Sequence, residues 1–437
     1  MLTKINFITK INAKIKSNPN IQKIVSNSSW LLLDKFVRMG LGLAVSAWVA
    51  RYLGPTQYGE LAYVLAYLAF FQAVCTLGMD GLIVRDIAKN KNNAGEILGT
   101  VFTLRIIIGL ICWFCAVGGM VLLNGWNSQS VYITALAGAT LVFQAADTID
   151  LWFQSQSQNR RTVIVKLTAY IISNGIKIVL ILSNASILAF SAVITFETSA
   201  IACGLFYAYR KFPCSNLWNR TKQRAITLLH ESWPFMISGL SIVLYMRVDQ
   251  LMIKNYLGDA ELGIYAAVLP LATLWQFLPM TLSVSLAPML AQSKAQGDDH
   301  FYKTLGYIFR VFAILGWLIC IPISMLSYFI VNILFGEIYI AGASVLSIIV
   351  FTNLFINMGV AQSLWIVNER KSKLSLYKTL MGAVVCVTAN IILIPYYGIV
   401  GAAISAVLAQ AVSAILSNLV LSRKIFSMQL RSLLLLK

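Results

Sequence analysis

Charge is what this chain has least of. Of its 437 residues, only 11% are Asp, Glu, Lys or Arg, whereas a soluble domain carries about 25%. The shortage runs the whole length, so the chain meets a solvent that does not demand charge, which argues against a large soluble helical protein. No cleavage-like small-residue site follows the polar, basic stretch that opens the chain. That stretch reads as a retained cytoplasmic arm and not as a signal peptide. No G-x-x-x-x-G-K-S/T loop is present, which removes nucleotide hydrolysis at such a loop as an energy source. Cysteine occurs seven times but without the partners that redox or metal chemistry needs. Cys112 and Cys115 are spaced C-x-x-C within "IIIGLICWFCAVGGMVLL". Like Cys75, Cys203, Cys320 and Cys386, they sit in apolar sequence as ordinary small hydrophobes.

What the chain does have is apolar length: 59% of it is hydrophobic and its mean hydropathy is +0.77. A membrane helix needs about 20 mainly apolar residues. Twelve such segments are expected: 28–50, 60–79, 98–123, 131–149, 163–182, 187–209, 227–254, 263–286, 305–330, 341–363, 376–394 and 399–421. With the N-terminus in the cytoplasm, alternation puts 27 of the 34 basic residues on that side and only Arg51 and Lys254 opposite. This is the bias that orients membrane helices, and it places both termini in the cytoplasm. The net charge of +18 falls in short clusters between apolar runs, which points to an anionic membrane surface and not to nucleic acid.

The chain repeats itself. "RYLGPTQYGELAYVLAYLAFFQAV" (51–74) returns as "NYLGDAELGIYAAVLPLATLWQFL" (255–278). At an offset of 204, Tyr52, Leu53, Gly54 and Gly59 fall on Tyr256, Leu257, Gly258 and Gly263. Six spans lie between the copies, an even number, so the halves are parallel repeats related by an axis along the membrane normal. The expected organisation is an arm at 1–27, a six-helix bundle at 28–209, a linker at 210–226 containing "RKFPCSNLWNRTKQR", a second six-helix bundle at 227–421 and a cytoplasmic tail at 422–437. Two facing bundles with a central cleft are the usual skeleton of an alternating-access transporter.

The segment "SWLLLDKFVRMGLGLAVSAWVARYLGPTQYGELAY", with "LGMDGLIVRDIA" at 77–88 and "SWPFMISGL" at 232–240, resembles the bacterial polysaccharide exporters. These include the O-antigen flippases of the Wzx type, within the multidrug/oligosaccharidyl-lipid/polysaccharide superfamily. The resemblance spans the chain and implies an all-α, MATE-like membrane fold. It also implies translocation of an undecaprenyl-diphosphate-linked oligosaccharide from the cytoplasmic to the periplasmic leaflet of the bacterial inner membrane, through a cationic central cavity. Such a protein is not an enzyme and needs no cofactor, in some cases using a proton or sodium gradient; because one chain supplies both bundles, a functional monomer is expected. Its partners would be the lipid-linked glycan, anionic lipids and the glycan polymerase machinery. A multidrug or cation antiporter on the same plan is the alternative. A glycan polymerase or ligase would carry a large external loop, and every expected external loop here is short.

Ionisable groups inside spans are costly unless paired or facing a wet cavity, so they are the candidate site residues. Asp34 and Arg38 stand four apart on one helical face and either pair locally or leave Arg38, with Lys35, to attract the diphosphate. Arg247 and Asp249 point to different faces of the seventh segment. Arg247 is the candidate for phosphate or sugar hydroxyls, and Asp249 for a proton, a cation or the support of a basic group. Lys177 and Glu197 are candidate partners across adjacent helices, and Arg105 either snorkels or contacts substrate. Counting Lys35, Arg38, Arg105, Lys177 and Arg247 against Asp34, Glu197 and Asp249 leaves a basic excess, which favours an anionic substrate over a cationic drug. Gln144, Asp147, Asp150 and Trp152 crowd the end of the fourth segment, where they either meet sugar headgroups or form an interfacial belt.

Overall fold

The computed structural model describes residues 19–214, 217–369 and 371–435. Lys4, Lys10, Lys14, Lys16, Arg370 and Lys437, which the topology reading used, lie outside them. All regular structure among the described residues is helical. Nine of the helices are long and apolar enough to cross a membrane, or ten if the pair Lys222–Leu244 and Met246–Leu257, bent by 43°, is one span. Two of the nine, Asp34–Lys89 and Lys373–Leu421, have 56 and 49 residues, more than twice the roughly 20 that one crossing needs. Each is broken mid-way by a glycine that leaves helical geometry, Gly54 at φ 71°, ψ 169° and Gly398 at φ 58°, ψ −140°; Gly78, at φ 63°, leaves it again near the end of the first. Such backbones are open to glycine because it has no Cβ to clash.

Two compact units divide the chain. The first takes residues 1–45 and 71–236. It holds the start and end of α1 (Pro19–Cys75), then α2 (Asp80–Lys89) and α3 (Ala94–Asn124). Next comes a broken run of α4 (Gln129–Gly138), α5 (Thr140–Phe143) and α6 (Asp147–Ser155). It closes with α7 (Asn159–Leu182), α8 (Ile187–Arg210) and the beginning of α9 (Lys222–Leu257). α3 is apolar on every side and leaves Ile107, Ile111, Phe114 and Leu122 exposed, as suits a helix that faces lipid as well as protein. α2 is too short to cross and is amphipathic: Leu82, Ile83 and Ile87 are buried beneath Arg85 and Lys89. Its apolar face joins Met79, Ile97, Phe153, Leu205 and Leu228 in one core. Ion pairs from Asp86 to Arg224 (2.9 Å) and from Arg85 to Glu231 (3.2 Å) tie α2 to the beginning of α9.

The described parts of the 210–224 stretch, 210–214 and 217–224, are packed, not slack. Asn219 runs so close to α3 that a Cβ on Gly99 would sit 2.4 Å from its carbonyl oxygen. Trp152, open in the sequence to a belt or headgroup role, is 5% exposed and donates its indole N–H to the Phe212 carbonyl at 3.1 Å. It holds this strap in place instead of meeting solvent or lipid.

The second unit takes residues 46–70 and 237–437. It contains the middle of α1, the rest of α9, then α10 (Asp259–Thr273), α11 (Phe277–Ala295), α12 (Asp298–Met325) and α13 (Ser327–Phe335). α14 (Gly342–Ile349), α15 (Thr352–Asn368), α16 (Ser372–Ala411), α17 (Asn418–Leu421) and α18 (Arg423–Leu433) follow. Phe301, Leu305, Phe309, Phe312, Met358 and Trp365 form its main core. The duplicated motif meets itself here. Gly258 takes φ 90°, ψ −174°, close to the backbone of Gly54. A Cβ on Gly59 would lie 1.8 Å from the Asp259 carbonyl oxygen, and one on Gly263 would lie 1.9 Å from that of Pro55. The offset of 204 carries Gly59 to Gly263 and Pro55 to Asp259. The contact is therefore reciprocal, each copy presenting the same glycine to the same carbonyl of the other.

α18 is amphipathic and lies along α12. Lys424 sits over the Tyr302 ring, and the Leu433 carbonyl accepts the Trp317 indole N–H at 3.0 Å. Trp317→Phe keeps the ring and deletes that bond, which is worth about 1 kcal/mol. The expected result is faster hydrogen–deuterium exchange confined to 423–435, with the rest of the second unit unchanged.

Candidate functional site

The first unit holds an open-sided cavity of about 240 Å³, lined from α1, the α5–α6 run, α7 and α8. Its charged lining residues are Asp34, Arg38, Asp147 and Lys166, joined by neutral Gln72, Gln144 and Thr198. α1 supplies Asp34 and Arg38 one turn apart, and the Arg38 Nε lies 2.8 Å from the Asp34 carboxylate. The guanidinium is stacked 4.7 Å over the Tyr170 ring, and the Tyr170 hydroxyl donates to the Arg38 carbonyl at 3.1 Å. That crossing needs Gly42, where a Cβ would lie 2.3 Å from the Tyr170 hydroxyl; at Gly40 no atom lies within 4 Å. Lys166, one helical turn before Tyr170 on α7, is clamped by α6: its Nζ is 2.6 Å from Asp150 and 3.2 Å from Asp147.

The cavity is therefore balanced and not basic. Arg38 and Lys166 face Asp34 and Asp147 in the lining, and Asp150 stands on the far side of Lys166. None of these five side chains is sealed off; they are between 20% and 38% exposed. Ions left alone in a low-dielectric setting cost several kcal/mol each, so the carboxylates offset the cost of placing two cations within an apolar helical unit.

The other candidates lie elsewhere. Lys35 is exposed. Lys177 on α7 is 3.9 Å from Glu197 on α8, and Glu197 also accepts the Ser173 hydroxyl at 2.7 Å. Arg105 is 3% exposed and its guanidinium donates to the Asp80 carboxylate and, at 3.3 Å, to the Thr76 carbonyl. It thus caps the C-terminal end of α1, and Asp80 was absent from the sequence's charge count. Arg247 and Asp249 belong to the second unit, Arg247 exposed and Asp249 6% exposed. Asp249 accepts the Tyr265 hydroxyl, and the Gln250 N–H at 2.8 Å.

Sequence reasoning singled out Asp34, Arg38, Gln144, Asp147 and Asp150 but missed Lys166 and Tyr170, which sit four apart on a helix that ends in the apolar run "IKIVLIL". Their spacing is legible, but their partners come from helices far away in sequence. Lys378, counted among the cytoplasmic basic residues, is 6% exposed within the second unit.

Comparison with known proteins follows this geometry. A family described as "Polysaccharide biosynthesis protein" matches residues 24–294, and the MatE family matches 234–395. A Shigella dysenteriae protein, provisionally named an O-antigen transporter, is 22% identical over 360 residues, covering 81% of this chain and 89% of the relative. Among solved structures, an inward-facing multidrug resistance MATE family transporter of the MOP superfamily aligns with a TM-score of 0.71 at 15% identity, over 90% of this chain and 95% of that one. The lipid II flippase MurJ, in an inward closed conformation, aligns with a TM-score of 0.66 at 15% identity, over 94% and 91%. At such identities the structural likeness speaks for the fold alone.

Proposed function

Because the chain belongs to the polysaccharide biosynthesis protein family and is a multi-pass helical membrane protein of MATE-like fold, we propose that it is a flippase for an undecaprenyl-diphosphate-linked oligosaccharide. It carries the O-antigen or a related repeat unit from the cytoplasmic to the periplasmic leaflet of the bacterial inner membrane by alternating access. The observation that carries the reading is a cavity within one helical unit lined by two cations, Arg38 and Lys166, beside the neutral polar groups Gln72, Gln144 and Thr198. Cations suit a diphosphate and amides suit sugar hydroxyls. The name of the Shigella relative supports the same substrate class.

In this reading the breaks at Gly54 and Gly398 are loops between spans, which together with the bent α9 makes twelve crossings with both termini cytoplasmic. The halves 28–209 and 227–421 act as parallel repeats, joined by the 210–226 linker and flanked by the arm 1–27 and the tail 422–437. Arg247, Lys35, Lys177 and Arg105 are the further cationic contacts, with Asp249, Asp34 and Glu197 as ion-coupling or charge-pairing groups. One chain supplies both halves, so the monomer suffices. A second reading, a drug or cation antiporter, is favoured by the carboxylates Asp147 and Asp150 beside the same cavity.

The test is complementation of a bacterium lacking its O-antigen flippase and supplied with the glycan native to this chain, scoring surface polysaccharide and stalled lipid-linked units. Wild type restores the surface glycan. Arg38→Ala and Arg247→Ala, at equal membrane abundance, lower it at least tenfold, the effect of about 1.5 to 3 kcal/mol from a lost charged hydrogen bond. A well-expressed wild type that fails here but confers drug resistance makes the chain an antiporter.

A further inference from the structure

We infer that the carboxylates of the first-unit cavity are resident counter-ions, which the substrate's diphosphate displaces from Lys166 and Arg38. This rests on the flippase reading above. The cavity's 240 Å³ is below the roughly 300–1,000 Å³ of sites that enclose drug-sized ligands. It has room for a charged headgroup, and because it is open-sided the rest of an oligosaccharide would extend beyond it. Both cations already carry a carboxylate: Asp34 on Arg38 at 2.8 Å, and Asp150 with Asp147 on Lys166 at 2.6 and 3.2 Å. An anion entering the cavity gains little from cations that remain neutralised, so binding is an exchange of one anion for another.

The geometry permits that exchange. The paired groups are 20–38% exposed, so neither pair is locked behind packing. Asp34 engages Arg38 through Nε, and a guanidinium has five N–H donors, so a phosphate can be gripped before the first carboxylate is given up. Tyr170 holds the guanidinium plane while this happens. On α7, Lys166 swings between acceptors on a flexible four-carbon stem, the property that distinguishes lysine from arginine. Exchange also supplies release: as the diphosphate leaves, Asp150 and Asp147 recapture the ammonium, so no bare cation is left within the bilayer.

A neutral lipid does not displace a carboxylate, and a monophosphate does so less well than a diphosphate. Asp147 and Asp150 are thus specificity-determining and positioning residues. They set how strongly an anion must bind to enter, while Lys166 and Arg38 make the contact.

The experiment measures inorganic pyrophosphate binding to the full-length protein in detergent by calorimetry, with undecaprenyl diphosphate as competitor to identify the lipid-linked source. Asp150→Asn keeps the shape and removes the competing charge, so it binds pyrophosphate about fivefold more tightly, and Lys166→Gln about fivefold more weakly. Lys166→Arg retains binding, and melting temperatures of all variants confirm folding. In cells, Asp150→Asn nonetheless lowers surface glycan, because release slows. A merely structural Asp150 would not tighten binding. Weaker or unchanged pyrophosphate affinity in folded Asp150→Asn overturns the inference, as does a complementing wild type that binds no pyrophosphate, which leaves the flippase reading standing. Tighter binding in Asp150→Asn with no complementation by wild type supports the exchange and removes the flippase reading instead.

Discussion

Gln362→Leu is expected to prevent stable accumulation of the protein, and adding Lys378→Met is expected to restore it. Gln362 is fully buried on α15, and its Oε1 accepts from three donors: the Lys378 ammonium, Asn418 Nδ2 at 3.2 Å and Gln429 Nε2 at 3.4 Å. Leucine leaves all three without that acceptor. Losing a hydrogen bond to a charged group costs about 1.5–3 kcal/mol and each orphaned buried amide about 1–3 more, against a total stability of about 5–15 kcal/mol. Lys378→Met takes away the ammonium itself, and replacing a buried ion by an apolar group of similar volume is often neutral or stabilising. Asn418 Oδ1 loses the Gln362 Nε2 donor at 2.8 Å, but Asn418 Nδ2 still donates to Gln429 Oε1 at 2.8 Å, and Gln429 keeps the Ala414 carbonyl at 3.1 Å. That carbonyl lies in a π-helical turn, Val412–Leu416. Membrane yield and melting temperature of the single and double variants decide the matter. A Gln362→Leu protein as stable as wild type would show that the ammonium has another acceptor.

The second large effect is expected at the glycine crossing of the duplicated motif. Gly59→Val and Gly263→Val each place a Cβ within 2 Å of a backbone carbonyl oxygen. Neither helix can give way without moving the other, so each change costs about 1–3 kcal/mol or more. Because the two sites touch, the double variant costs less than the sum of the singles: once one valine has forced the helices apart, the second finds room. Gly40→Ala is the control. Nothing lies within 4 Å of its Cβ, and alanine improves helix propensity by up to about 1 kcal/mol. Thermal melting in detergent should show a fall at 59 and 263 and no loss at 40. Equal behaviour at all three positions would mean that the crossing contributes nothing to stability.

How much of this was legible in the sequence varies with the range of the interaction. The i, i+4 pair of Asp34 and Arg38 is local, because helix periodicity alone puts both on one face. Arg247 and Asp249, two apart, were assigned to different faces on the same ground, and one is exposed while the other is buried. The charge count went astray at Arg105, and it left out Lys166, which the topology reading sets among the cytoplasmic-side basic residues. The counter-charge of Arg105, Asp80, stood outside that count, and Asp147 and Asp150 read as headgroup or interfacial residues; no periodicity relates them to the cations they neutralise.

By itself the sequence determined that this protein is helical and lives in a membrane, because about 20 apolar residues in a row have few other destinations and lipid demands internally satisfied backbones. It also determined the family, through short motifs at helix boundaries, and the repeat, whose glycines recur at a constant offset. The tertiary structure alone decided which cations keep their charge available. Lys166 is held on α6 carboxylates and Lys378 is buried among amides. Ion pairing acts through space over a few ångströms, and which helices come that close is settled by packing, not by position along the chain.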